Sequence, residues 1–243
     1  MLVDEPVVRA SVAELAAIAA WTLPRRLKSG FRLALIGGWA VHAYNPWFGS
    51  RDIDFASGSA VRKSLLSWLR KERGYRPRRF EGVGVEAVEK QVPGGSLIVE
   101  FIRESAQFPF EGLTASYPLR TLFAHVRYRR VEGIELPVPR PETLFVLKAK
   151  AAWDRSYRVK NGTSADPAYE RSKFAKDAGD LLALMDSSHA PTMDLEVLGE
   201  ELDPFPFLLE MLAQEELAAA GATRYQIPVQ ESRDRFRSLL TLL

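Results

Sequence analysis

Apolar residues in the first half of the chain follow two periods, one typical of strands and one typical of helices. Between Asp52 and Ala56 charged and apolar residues alternate, which is the two-residue period of a strand. Between Ser59 and Arg73 apolar residues recur every three or four positions, as in an amphipathic helix. In chain order the pattern predicts a helix over 11–28 that begins with a capping box at Ser11 and Glu14, a strand over 31–36, a helix over 39–44, a strand over 52–56, a helix over 59–73, and a hairpin of strands over 83–92 and 97–102.

From residue 141 onwards the pattern is mostly helical. Pro141 and Glu142 are residue types favoured in the first turn of a helix, so a helix is predicted over 141–153. Further helices are predicted over 168–185, within 194–216 and over 232–243. The order of elements predicts an α+β protein, in which a mixed sheet with flanking helices (1–138) is followed by an α-helical C-terminal part (139–243).

The amino-acid composition limits the kinds of metal site and nucleophile that the chain can form. The 243 residues include three histidines and no cysteine, which excludes disulfides, thiolate zinc sites and cysteine nucleophiles. Any metal ion must therefore be held mainly by carboxylates. No apolar run approaches the length of about eighteen residues that a membrane helix needs, and the N-terminus (MLVDEPVVRA) lacks the layout of a signal peptide. We therefore expect a cytoplasmic protein without a membrane partner.

Charge is unevenly distributed although the net charge is only +2. Residues 70–79 (RKERGYRPRR) carry six basic residues and one acid, whereas 194–216 carry eight acids and no base. Both runs are typical of solvated surface, and the basic run is also typical of a nucleic-acid contact. In that second interpretation Arg76, Arg78 and Arg79 contact phosphates, and Tyr75 and Phe80 are possible stacking rings.

Two carboxylates on the 52–56 strand are the first candidate for chemistry. Side chains at i and i+2 of a strand share a face, so Asp52 and Asp54 project together. Two like charges side by side are unfavourable unless a cation lies between them, and Mg²⁺, or Mn²⁺, is the natural one. The alternative is two aspartates at a strand end with no function.

Glu100 adds a third carboxylate, within the apolar run 97–102 (LIVEFI). A lone buried charge there is costly, and strand parity places it on the face opposite Val99 and Phe101. If the two strands are neighbours, three carboxylates converge and can hold one or two divalent ions. The Gly37-Gly38 turn leaves backbone N–H groups that can approach a phosphate.

The helical half contributes charged candidates of its own. Lys148 and Lys150 are two positions apart on a helix and point in different directions; Lys148 lies nearer the apolar stripe, and the alternative is a surface lysine. Asp177 and Asp180 are one helical turn apart and share a face, where the alternative is a link within the helix, such as Lys176 to Asp180.

These residues resemble a known signature. Gly37-Gly38 after an apolar strand, Ser50 shortly before Asp52-Ile53-Asp54, and Glu100 on a later strand resemble the DNA polymerase β-like nucleotidyltransferase superfamily. Pro141-Glu142 leading into Lys148, with Arg155, Lys176-Asp177 and Asp180-Leu181 after it, is similar to the distal motifs of AbiEii-type nucleotidyltransferases, many of which are toxins of toxin–antitoxin pairs. The likeness runs from about residue 31 to 186.

The resemblance implies a fold, a reaction and a set of roles. Residues 1–138 would be a nucleotidyltransferase-fold catalytic domain and 139–243 a helical domain, with the active site in the cleft between them. A nucleoside monophosphate would pass from a nucleoside triphosphate to an acceptor hydroxyl. In this scheme Gly37, Gly38, Ser50, Lys148 and Asp180 bind the nucleotide, Asp52, Asp54 and Glu100 bind the metal, and Lys148 and Asp177 join the three carboxylates in catalysis.

Two positions depart from the family pattern, and the acceptor stays open. Phe48 stands where a basic residue is frequent, and Glu100 stands where aspartate is usual, which places a second metal ion in doubt. RNA is the acceptor favoured by the basic run, and a cognate antitoxin protein is a further partner that the resemblance implies. The alternatives are a small-molecule transferase similar to antibiotic-modifying enzymes, a catalytically silent nucleotide-binding module, and an interaction protein that pairs through its C-terminal helices.

Overall fold

The computed structural model of the chain describes residues 5–27, 29–78 and 85–243. The chain forms two compact units. One unit consists of residues 1–108 and 118–140, and the other of residues 109–117 and 141–243. The pattern of elements predicted one boundary at 138/139 with 109–117 in the first domain, whereas this segment groups with the helical unit.

The first unit is built on a five-stranded mixed sheet. Its strands are β1 (Leu33–Ile36), β2 (Ile53–Ser57), β3 (Arg76–Arg78), β4 (Val85–Val92) and β5 (Gly95–Arg103), in the spatial order β1-β2-β5-β4-β3. β2 and β5 are parallel, and the other neighbouring pairs are antiparallel. The mixed sheet therefore follows the prediction, and its central parallel pair carries Asp54 and Glu100.

Three helices accompany this sheet: α1 (Pro6–Thr22), α2 (Gly37–His42) and α3 (Ser59–Glu72). The predicted capping box at Ser11 and Glu14 is wrong, because α1 begins earlier, with Pro6 in its first turn. Both residues lie buried inside the helix, where Ser11 accepts a hydrogen bond from Trp39 Nε1 at 2.7 Å and Glu14 forms ion pairs with Arg73 and Lys90.

Alternate residues of β2 and β5 point to opposite faces of the sheet, one packed in the core and one polar. Phe55 and Phe101 are fully buried and stack with ring centroids 5.8 Å apart. Asp54 and Glu100 lie on the opposite face and are partly exposed. Apolar packing on one face thus holds the carboxylate pair in place on the other.

Several short strands were not predicted from the sequence. β6 (Phe108–Pro109) and β7 (Ser116–Tyr117) form one small ribbon, and β8 (Arg127–Val131) and β9 (Ile134–Val138) form an antiparallel hairpin. A short 3₁₀ helix, Thr121–His125, precedes β8. Four of the five residues of β8 are Arg or Tyr, so no apolar alternation marks it as a strand.

The second unit is helical. Its helices are α4 (Pro141–Lys160), α5 (Pro167–Met185), α6 (Leu195–Leu202), α7 (Pro206–Leu212), α8 (Glu215–Tyr225) and α9 (Val229–Leu242). α4 packs on α5, α5 on α8, and α8 on α9. The fold class is therefore as predicted: a mixed sheet with flanking helices, then a helical C-terminal part. Within the described ranges, no helix combines the length and the apolar character that a membrane crossing requires.

Candidate active site

The centre of the candidate site is a pair of carboxylates on adjacent parallel strands. Asp54 of β2 and Glu100 of β5 are directly in register, so their side chains project from neighbouring positions of the same face. On the other side of β5, Glu100 is in register with Ala87, whose side chain is only a methyl group. The condition on which the prediction for Glu100 depended, that the two strands be neighbours, is met.

Asp52 precedes this pair by two residues and lies just before the first residue of β2. In the described part of the chain, no three His, Asp or Glu side chains are gathered so as to hold a metal ion by themselves. Magnesium commonly takes one or two protein carboxylates and completes its shell with water and phosphate oxygens. The donor chemistry of Asp54 and Glu100 fits an ion shared in this way with a nucleotide, and Asp52 as a third ligand stays a prediction.

Gly37 lies directly against the carboxylate of Asp54. Its φ of +69° is in the left-handed region, and Ile36 just before it is the register partner of Asp54. A Cβ at position 37 would overlap the side chain of Asp54. Glycine is therefore required here for both its conformation and its size, which brings the start of α2 beside the carboxylate.

The loop between α2 and β2, which carries Ser50, is anchored by His42. The buried His42 ring accepts a hydrogen bond at Nδ1 from the Gly49 amide at 3.2 Å, so its Nε2 carries the proton that bonds Glu132 at 2.7 Å. Beyond Ser50, Arg51 pairs with Glu5 at 2.6 Å. His42 is thus a structural residue, and Ser50 lies between two fixed neighbours.

The second unit contains a buried ionic cluster centred on Lys148. Its ammonium group lies 2.9 Å from Asp177 Oδ1 and 2.6 Å from Asp180 Oδ2. Burial by itself would lower the pKa of Lys148, but the two carboxylates outweigh burial and raise it. Lys148 is therefore not a surface lysine, and it joins α4 to two positions of α5.

Further charges extend the cluster along both helices. Arg155 Nε contacts Asp177 at 2.8 Å, and the predicted link from Lys176 to Asp180 is present at 2.9 Å. Burial would raise the pKa of Asp177, yet Lys148 and Arg155 hold it well below its usual range. The face shared by Asp177 and Asp180 thus carries both the link within the helix and the contact with Lys148.

Lys150 belongs to a different contact. Its ammonium group pairs with Asp154 at 2.6 Å, and the residue is almost fully buried. The two lysines do point in different directions, but neither faces bulk solvent. A comparison of Lys148 with Lys150 therefore compares two buried ion pairs, so an exposed lysine is the better control.

Some arginines of the basic run 70–79 form ion pairs within the protein. Arg73 pairs with Glu14 at 3.0 Å and Arg78 with Glu89 at 3.1 Å, whereas Arg76 is exposed. The interpretation of Tyr75 as a stacking ring is wrong, because its ring is buried and lies under Lys90 at 4.8 Å. Arg79 and Phe80 lie outside the described residues.

Sequence reasoning missed Glu132, the partner of His42. The sequence feature that could have pointed to Glu132 is the Glu132-Gly133 turn between β8 and β9, in which both residues have positive φ. Without recognition of β8 as a strand, that turn did not stand out from the polar stretch around it.

No protein-family model matches the chain, and neither does any curated protein sequence. Among solved structures, the chain is similar to an antigenic nucleotidyltransferase-like protein from Paracoccidioides brasiliensis, with 14% sequence identity and a TM-score of 0.46. The superposition covers 89% of this chain and 92% of the other.

Proposed function

We propose that the protein is a metal-dependent nucleotidyltransferase that moves a nucleoside monophosphate from a nucleoside triphosphate to an acceptor hydroxyl. The observation that carries the proposal is the in-register pair Asp54 and Glu100, with Gly37 packed against it. This arrangement agrees with the order of motifs on which the family resemblance rests.

In the proposed reaction the acceptor oxygen forms a bond to the α-phosphorus, and the bond from that phosphorus to the pyrophosphate oxygen breaks. The proton of the acceptor hydroxyl passes to a nearby carboxylate, and pyrophosphate leaves. Asp54 and Glu100, with Asp52 as the predicted third ligand, would hold Mg²⁺ or Mn²⁺. When bound, the ion neutralises charge on the phosphates.

Backbone and loop groups would position the nucleotide. Gly37, Gly38 and Ser50 are proposed phosphate contacts, since the glycine turn brings the chain beside the carboxylates without an intervening side chain. On the family resemblance, Lys148 and Asp180 remain proposed nucleotide contacts, and Lys148 and Asp177 remain proposed catalytic residues. Ion pairs from Lys148 to both aspartates fix the positions of the three side chains. RNA is the proposed acceptor.

The test is a transfer assay with each α-labelled nucleoside triphosphate, Mg²⁺ or Mn²⁺, total RNA and a small-molecule extract. Asp54→Asn removes the charge and keeps the size of the side chain, and Asp234→Asn is the matched control, because Asp234 is an exposed carboxylate in α9. We expect labelled RNA from the native protein and from the control, and a loss of at least about a hundredfold from Asp54→Asn.

Other results would replace this proposal. Label in the small-molecule fraction alone indicates a small-molecule transferase. Nucleotide that is retained by the protein without transfer indicates a binding module. Equal labelling by Asp54→Asn and the native protein would remove the carboxylate pair from the mechanism.

A further inference from the structure

A cavity lined by arginines and aromatic rings lies within the first unit. It has a volume of about 570 Å³. Its lining includes three arginines and three aromatic residues: Arg26, Arg32, Arg120, Phe31, Phe123 and Tyr128. None of these residues belongs to the candidate active site described above.

The cavity lies at the opposite end of β1 from the carboxylates. Leu33, the first residue of β1, lines the cavity, whereas Ile36, the last, is in register with Asp54. Three residue steps along a strand correspond to about 10 Å. The cavity is therefore separate from the candidate active site, although the same strand joins them.

One wall of the cavity is formed by a guanidinium group and an aromatic ring that lie against each other. The Arg26 guanidinium lies 5.0 Å from the centre of the Tyr128 ring and pairs with Glu135 at 2.7 Å. The carboxylate and the ring together hold this guanidinium in place. Tyr128 is 43% exposed, so part of its ring is accessible to a ligand. Planar guanidinium groups and aromatic rings are the surfaces on which nucleic-acid bases stack.

Two further arginines supply positive charge beside that wall. Arg32 pairs with Glu104 at 2.8 Å, yet half of its side chain remains exposed. Arg120 is exposed, and the described residues offer it no carboxylate partner. Arginine binds phosphate oxygens through a planar fork of donors, so both groups are suited to a phosphate backbone.

A second, smaller cavity of about 200 Å³ adjoins the first and shares Gly30 and Phe31 with it. It repeats the same chemistry, because Arg25 lies 4.2 Å from the centre of the Trp21 ring and both residues line it. Two neighbouring cavities of this kind favour an extended ligand with repeated bases and phosphates over a single nucleotide.

We propose that these two cavities bind single-stranded nucleic acid, with bases stacked on the Arg26–Tyr128 wall and on Phe123, and with phosphates on Arg32 and Arg120. The inference that this surface holds the RNA acceptor rests on the proposed transferase function. The inference that it binds single-stranded nucleic acid is independent of that function, because neither the metal ion nor the nucleoside triphosphate takes part in the binding.

The experiment measures binding of a single-stranded RNA oligonucleotide containing 2-aminopurine, without divalent metal or nucleoside triphosphate. Anisotropy reports affinity, and quenching of 2-aminopurine reports stacking. Tyr128→Ala should weaken binding about tenfold and reduce the quenching, since each stacked base contributes substantially to affinity. Arg120→Gln should also weaken binding, and it should reduce the slope of log affinity against log salt by about 0.7.

Matched controls lie in the helical unit. Tyr169→Ala removes a tyrosine that is 53% exposed and also lies under a cation, Lys173. Arg237→Gln removes an exposed arginine that is paired with Asp234. Both control variants should bind as the native protein does, and the thermal unfolding of all four variants should match the native protein.

Specific outcomes overturn the proposal. Native affinity and native quenching in both Tyr128→Ala and Arg120→Gln would show that the cavities are solvated surface. Equal competition by mononucleotide, or by duplex RNA, would contradict an extended single strand. Asp54→Asn should bind the oligonucleotide as tightly as the native protein does. Loss of transfer with intact RNA binding in this variant agrees with both the transferase proposal and the RNA-binding proposal. Transfer to RNA by a native protein that does not bind the oligonucleotide would overturn the RNA-binding proposal alone.

Discussion

At the scale of single residues, Gly37 is the position where backbone conformation and candidate chemistry meet. We predict that Gly37→Ala lowers the free energy of unfolding by about 2–4 kcal/mol, because a Cβ at positive φ is strained and must also displace Asp54. The same displacement should abolish metal-dependent nucleotide binding. Urea unfolding and calorimetric titration measure the two effects.

Gly162→Ala is the control for the cost of positive φ alone. Gly162 has a φ of +65°, but no heavy atom lies within 4 Å of the position that its Cβ would take. We expect a cost of about 1 kcal/mol and unchanged nucleotide binding. Equal costs for the two variants would mean that the contact with Asp54 is unimportant.

Asp186, just after α5, gives a prediction about pH. Burial would raise the pKa of Asp186, but hydrogen bonds from Tyr225 and the Ser188 amide, with His189 and Arg235 nearby, lower it to about 2. A lowered pKa stabilises the fold above the unfolded value near 4, and this stability is lost as pH falls towards 2. Asp186→Asn should therefore cost about 2 kcal/mol at pH 5 and almost nothing at pH 2.

The measurement is denaturant unfolding of both proteins from pH 5 to pH 2. The informative quantity is the difference between them, because acid affects every other carboxylate equally in both. A difference that does not change over this range would show that Asp186 has an ordinary pKa.

At the scale of secondary-structure elements, the Lys148 cluster joins α4 to α5. We predict that Lys148→Met lowers the free energy of unfolding by about 3–5 kcal/mol, because it leaves Asp177 and Asp180 buried beside each other with one cation fewer. Lys160→Met is the control: Lys160 lies on the same helix and pairs with Glu216, and both side chains are at least half exposed. Its cost should stay below about 1 kcal/mol.

Nucleotide affinity, measured on the same variants, separates the two roles of Lys148. A nucleotide contact predicts weaker binding under conditions in which Lys148→Met is still folded. Unchanged affinity together with a large loss of stability would make the cluster purely structural.

Sequence patterns predicted those helices and strands that bury one face and expose the other. α3 and β5 carry clear apolar periods, so their types and approximate limits were predicted correctly. β8 could not be predicted, because its polar and aromatic residues cover a surface instead of filling a core. The start of α1 was placed too late, since Ser11 and Glu14 resemble a cap although their partners are distant in sequence.

The same distinction applies to the candidate site. The residues Asp54 and Glu100 were chosen from strand parity and the cost of burying charge, which are local properties. Their adjacency depends on β2 pairing with β5 in parallel across more than forty residues, and no local pattern specifies that pairing. The arginine–aromatic cavity was missed for a similar reason, because its residues come from two distant segments, 26–33 and 120–137.

At the scale of the whole molecule, the segment 109–117 belongs to the helical unit although it interrupts the sequence of the other. Phe110 lies between Phe205 and Phe207, with both ring centroids 4.9 Å away, and the Glu111 carbonyl accepts a hydrogen bond from Trp153. We predict that Phe110→Ala costs about 3–5 kcal/mol. Hydrogen exchange should become faster in α4 and α7 and stay unchanged in β2 and β5.

Leu113→Ala is the control in the same segment, because Leu113 is 38% exposed. Its cost should be below about 1 kcal/mol, with no change in exchange rates. Faster exchange in β2 and β5 after Phe110→Ala would mean that the segment supports the sheet as much as the helices.

The interrupted path of the chain also has a consequence during synthesis on the ribosome. The residues of the sheet unit are all translated once residue 140 has been added, yet Phe110 must wait for Phe205 and Phe207 before its ring is covered. An apolar side chain is thus left unprotected in a nascent protein whose sheet can already fold. Chains released early, before α7 is translated, should therefore be the ones that aggregate or recruit chaperones.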